Sequence, residues 1–266
     1  MAGTEARGRA GGKGWGVKGD KTSDGTMGLV CVGQKCLSPS YWAGVTCGKD
    51  EGSFRALFEI PRASKKPPEF YRLPFPNDIR RKSGRVDVSG HPDPGLSLPT
   101  EYKDVVKNFY EAINKDVAGF GLNTAVLLRM SHSFDLNSLT LIGLNPTVQF
   151  LNIDKSSPGY GKGVGMTMFA TTARGKYICQ NVIALRPNIG SPLLPKTTYA
   201  VLLRSGIKTK AGKEAEADND FSLVMKPGEP MAGEEKAAWQ AYKPLRDYLT
   251  DKKIPAKTLI GAAVFT

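Results

Sequence analysis

The run VIALRPNIGSPLLPKTTYAVLLRSGIKTKAG, residues 182–212, leaves the chain few folding choices. Val182 to Leu185 and Tyr199 to Leu203 are short, apolar and rich in β-branched residues, which suits strands. Pro187, Gly190, Pro192 and Pro195 fill the break between them, and Gly206 and Gly212 follow the second. Each is a position where regular structure stops and the chain turns. Upstream, from residue 124, the same grammar repeats as TAVLLRM, SLTLIGL, TVQFLNI, GMTMFATT and KYICQNVIALR, separated by Gly, Pro, Asn, Ser and Asp. About seven strands at that spacing predict a mostly β fold, a sandwich of two sheets. Thirty Gly and eighteen Pro in 266 residues fit such a turn-rich chain.

Other segments flank this array. Residues 1–28 are Gly-rich and polar, and read as a disordered tail with too little apolar surface to offset the entropy of ordering. Residues 29–50 form a cysteine-bearing segment. Residues 51–99 are Pro-rich and extended, with prolines too frequent for long helices or central strands. Residues 100–266 carry a helix, the sandwich, and closing helices and strand. The first helix is predicted from an N-cap at Thr100, with Tyr102, Val105, Val106, Phe109, Ile113 and Val117 at three- and four-residue steps. A second helical stretch spans about 231–252, and Pro244 is expected to break or kink it. The last residues, KTLIGAAVFT, read as a short helical turn and a strand. Ending inside a strand suggests a fragment or a first module of something longer.

The net charge is +12, from 37 Lys and Arg against 25 Asp and Glu. The basic residues are dispersed, and their densest region, 55–85, is Pro-rich without an RNA-binding or zinc-finger signature. A solvated basic surface is expected, with anionic cell-surface polymer or other protein modules as partners rather than nucleic acid. No apolar run approaches the roughly 18–20 residues of a membrane span. No secretion leader is visible, so the chain is either intracellular or starts inside an exported precursor.

Several residue strings resemble known families. FYRLPFPNDIRRKSGRVDVSGHPDPG, residues 70–95, is similar to the "LPFPND" opening of the N-terminal module of bacterial virulence-factor lipases, and of large secreted Ig-like proteins. GFGLNTAVLLRMSHSFDLNSLT and the 182–212 hairpin resemble strands of a bacterial Ig-like (SbsA-type) domain. WQAYKPLRDYLTDKKIPAKTLIGAAVFT resembles the close of such a module. TSDGTMGLVCVGQKCLSP is similar to part of a small disulfide module of secreted proteins. The resemblance implies an Ig-like β-sandwich with extracellular or cell-surface localisation and a non-catalytic role as a spacer or adhesion-type scaffold. The alternative it implies is the front module of an exported lipase or esterase whose catalytic domain lies elsewhere. It assigns no catalytic residue to this chain.

The residues themselves offer little catalytic chemistry. Four cysteines, Cys31, Cys36, Cys47 and Cys179, are candidate disulfide partners in three possible connectivities. A pairing through Cys179 would staple the N-terminal segment to the sandwich. Zinc ligation would want C-x-x-C pairs that are missing. No G-x-S-x-G elbow is present, and Ser89, His91 and Asp93 lie too close in one loop to converge as a triad. GYGKGVG, residues 159–165, lacks the Ser or Thr that a phosphate loop places after its Lys. Asp135 and Asn137 are too few for calcium and suit an Asx-turn. Trp239, Tyr242 and Tyr248 are expected to face the core. No cofactor or metal site is expected.

Overall fold

The computed structural model describes residues 44–48, 52–65, 69–93 and 105–266, and the backbone of three short strands before them. The chain divides into two compact units, Met1–Ala43 with Pro94–Val105, and Gly44–Asp93 with Val106–Thr266. In the first, β1 (Gly16–Val17), β2 (Val30–Val32) and β3 (Lys35–Leu37) form an antiparallel sheet that sets Cys31 opposite Cys36 in register. Apart from β1, the tail expected over 1–28 lies outside the described residues, as does Thr100.

The second unit opens with β4 (Arg55–Ala56) and a two-residue hairpin, β5 (Arg81–Lys82) and β6 (Arg85–Val86). Ser83 and Gly84 turn it with φ of 49° and 76°, the doubly positive pair that matches strand twist. Helix α1 (Val105–Asp116) follows, then β7 (Val126–Arg129), β8 (Val148–Asn152), β9 (Met166–Thr171), β10 (Val182–Pro187) and β11 (Tyr199–Arg204). Next come β12 (Glu216–Ala217), α2 (Asn219–Met225), α3 (Gly233–Ala241), α4 (Lys243–Asp251) and β13 (Leu259–Phe265).

Two antiparallel three-stranded sheets dominate, ordered β7-β10-β9 and β13-β11-β8. The strands β11 and β13 read as continuous apolar runs because both faces of their sheet are buried. On one face Val148, Phe150, Val201, Leu203 and Phe265 share an apolar cluster with Val126, Leu128, Ile183 and Leu185 of the other sheet. On the opposite face Leu151, Ala200, Leu202 and Val264 share a second cluster with Phe221, Tyr242, Leu245 and Leu249 of the helices. Burying each such large side chain contributes about 1.5–3 kcal/mol.

Three expectations change. The described residues are mixed rather than mostly β, because the connection between β11 and β13 carries three helices where one broken helix was predicted. That break falls at Tyr242, with Pro244 in the first turn of α4, where its missing N–H costs nothing. Within the Pro-rich region 51–99, the described residues 52–65 and 69–93 do not stand apart. Phe54 and Ala56 enter the first cluster, and Phe58, Ile60 and Leu73 the second. Finally, SLTLIGL is not a strand. Thr140 and Thr147 close it into a loop through reciprocal bonds, backbone amide to hydroxyl, of 2.8 and 2.9 Å. Gly143 at the bend has φ 124°, which disfavours any residue with a Cβ.

Candidate functional site

The LPFPND string, residues 73–78, is where the most distant parts of the second unit meet. Asn77 is fully buried, and its side-chain amide donates to the Tyr242 hydroxyl at 2.8 Å. That hydroxyl donates onward to the Ala262 carbonyl of β13, also at 2.8 Å. Burial raises the Tyr242 pKa far above the usual phenol range, so it stays a donor. Asp78 accepts from the Thr266 amide at 3.2 Å and the Thr266 hydroxyl at 2.9 Å. Desolvation pushes its carboxyl up from 3.8, against those bonds and the nearby Arg81. Phe75 exchanges backbone bonds with Leu127 of β7, at 3.0 and 2.7 Å. The string is therefore a brace between a sheet edge, a helix and the closing strand.

Behind it sits an aromatic cluster around His91. The Tyr110 hydroxyl donates to the Pro92 carbonyl at 3.0 Å, so the His91 Nδ1 hydrogen faces Tyr110 Oη at 2.8 Å. His91 Nε2 then accepts from the Tyr71 hydroxyl at 2.8 Å. Both ring nitrogens are committed, and neither is offered to Ser89, whose amide bonds Asp87. Burial lowers the His91 pKa and pushes Tyr71 up to about 12. Arg80 lies over the Phe70 ring at 3.7 Å, its pKa pulled down to about 10 by the same desolvation.

Cys47 and Cys179 are bonded, with Cα atoms 5.6 Å apart and a sequence separation of 132. The residues next to each cysteine extend the join. Gly48 donates its amide to Glu69 at 3.1 Å, Glu69 pairs with Arg129, and Arg129 Nε donates to the Gln180 carbonyl at 3.0 Å. Both ionic side chains are at least 95% buried. Val45 adds a backbone bond to Lys176 at 2.8 Å. The pairing among Cys31, Cys36, Cys47 and Cys179 that sequence spacing left open thus places Cys47 with Cys179.

Other candidates resolve into structure. Asp135 accepts from the Asn137 amide at 3.0 Å and caps a 3-10 turn, Leu136–Ser138. In GYGKGVG the amides of Tyr160, Gly161, Lys162 and Val164 all donate to the chain's own carbonyls, which leaves them nothing for a phosphate. Sequence spacing did not single out Ser131 beside His132. The Ser131 hydroxyl lies 2.8 Å from His132 Nδ1, but it accepts from the Arg55 amide and donates to the Ser53 carbonyl. It clamps β4 and is not a free nucleophile. Tyr242 and Tyr248 face the core as expected, whereas Trp239 does not. It stacks under Arg246 at 3.6 Å beside a cleft of about 530 Å³.

A second cleft, of about 350 Å³, is walled by Phe120, Tyr199 and Phe265, with Arg81 and Lys196 also lining it. Phe120 and Phe265 meet edge to face at 6.2 Å, and Tyr199 stacks on Phe265. Lys243 and Asp247, which line the cleft beside Trp239, are ion-paired with each other at 2.5 Å. No protein-family model matches this chain, and no curated protein is significantly similar to it.

Proposed function

We propose that the second unit is an Ig-like β-sandwich acting as a non-catalytic spacer or adhesion-type scaffold of a bacterial secreted or surface protein. The observation that carries this reading is the strand order. Numbered from β7 as the second strand of an Ig domain, β7-β10-β9 reads B-E-D and β13-β11-β8 reads G-F-C. Those are the orders of the two sheets in a constant-type Ig domain. Phe75, bridged antiparallel to Leu127 of β7, and Ala56, bridged antiparallel to Met130 just after it, would stand for the first strand.

Tyr199 supports the same reading. It starts the strand equivalent to F, and its hydroxyl takes the Leu194 amide at 2.9 Å, five residues upstream. This is the arrangement of a tyrosine corner, in which one phenol ties the E–F corner to the sandwich. The Cys47–Cys179 bond suits an oxidising compartment.

Fractionation of producing cells, followed by alkylation with and without reductant, tests the reading. Recovery outside the cytoplasm with Cys47 and Cys179 alkylated only after reduction is the expected result. Cytoplasmic protein with free thiols at both positions would refute it.

A further inference from the structure

The geometry points to an anionic lipid bilayer as a docking partner for the end of the second unit that carries loop 141–146, a role independent of the scaffold reading. The loop joins β7 to β8 and lifts Ile142 and Leu144 into solvent, 92% and 97% exposed. They cannot fold back cheaply. The Thr140–Thr147 pair pins the base, Thr147 Oγ1 donates to the Ser138 carbonyl at 2.9 Å, and Val148 donates to the Thr140 carbonyl at 3.0 Å. Leu136, in the adjoining turn, is 49% exposed. With its base pinned, the loop brings its apolar tip to a hydrophobic phase at a reduced ordering cost.

The hairpin beside it is basic. Asp135 donates its amide to the Lys208 carbonyl at 2.8 Å, and Lys208 donates its amide to Ser138 Oγ at 3.1 Å, so residues 208–214 are tied to the base of the loop. Lys208, Lys210 and Lys213 are all exposed there. Lys208 pairs with Glu214 at 3.1 Å, while Lys210 and Lys213 have no ion pair among the described residues. Apolar tip and flanking lysines match the two layers of a bilayer surface, with acyl chains below and anionic headgroups above.

A protein partner fits less well. A stable interface needs about 800 Å² per partner, usually with aromatic or Arg anchors at its centre. This protrusion offers a few aliphatic side chains on a convex tip, which a fluid bilayer accommodates and a second rigid surface does not.

Sedimentation of the full chain with phosphatidylcholine vesicles, with and without phosphatidylserine, tests the proposal. Binding is expected only to the anionic vesicles. I142S/L144S should weaken it at least about tenfold, and K208Q/K210Q/K213Q by about fivefold per lysine lost. Since all five side chains are exposed, both variants should keep the parent melting temperature. No binding to anionic vesicles, equal binding to neutral ones, or unchanged binding by I142S/L144S would each overturn the proposal. So would a concentration-dependent dimer that I142S/L144S dissolves, which would make a second copy the occupant.

Discussion

The Tyr242 hydroxyl stands between Asn77 and Ala262, receiving one hydrogen bond and giving the other, both at 2.8 Å. It thereby joins the LPFPND string, helix α4's approach and strand β13 at a point with no solvent access. Its ring is equally committed, edge to face with Phe58 at 5.3 Å and Phe221 at 6.4 Å.

Tyr242→Phe isolates the loss of that hydroxyl. The Asn77 Nδ2 amide and the Ala262 carbonyl each lose this buried partner, which costs about 1–3 kcal/mol. Tyr242→Ala also opens a cavity and should cost about 3–5 kcal/mol, by analogy with truncation of other buried aromatics. Urea unfolding of the two variants measures both, with the alanine variant the less stable.

The buried Glu69–Arg129 pair should behave non-additively. Removing either partner leaves an uncompensated charge, so Glu69→Leu or Arg129→Met alone should each destabilise by about 3–5 kcal/mol. The double variant should recover much of that loss, because no charge remains to be desolvated. A double-mutant cycle by chemical denaturation gives the coupling directly.

Cys47–Cys179 closes a loop spanning 132 residues. Reducing it, or replacing both cysteines with Ala, releases chain entropy in the unfolded state and should lower stability by about 2–5 kcal/mol. The melting temperature should fall on adding reductant to the wild type and should not respond to reductant at this bond in the double-Ala variant. Because Glu69 and Arg129 lie beside the bond, combining C47A/C179A with E69L tests whether the ion pair depends on it.

Local chemistry made some of this legible. TYAVLLR and NVIALR announce strands because β-branched and apolar residues run unbroken between turn residues, and both are strands. SLTLIGL has similar composition and is a loop, since its identity rests on the Thr140–Thr147 bonds, which no periodicity reveals. Helix α2 was hidden for a different reason. Only Phe221 and Val224 of its seven residues are buried, too few for a 3.6-residue pattern to register. The His91 cluster is non-local. Tyr71 and Tyr110 lie 20 and 19 residues away, so a lone histidine in a Gly- and Pro-rich turn showed nothing of its partners.

That cluster predicts a pH dependence. Burial lowers the folded-state pKa of His91 below the unfolded value of about 6.5. On acidification the unfolded chain therefore takes up this proton first, and stability falls as pH drops through about 6.5 toward the depressed folded value. Asp78 acts in the opposite sense. Its folded pKa is raised, so its contribution to stability increases as pH falls through that raised value. His91→Gln keeps hydrogen-bonding capacity toward Tyr71 and Tyr110 but cannot titrate. Unfolding free energies measured between pH 5 and 8 (a range set by the histidine pKa) should decline toward acid in the wild type and lose the His91 share of that slope in the variant. Parallel slopes for the two proteins would show that protonating His91 costs the fold nothing.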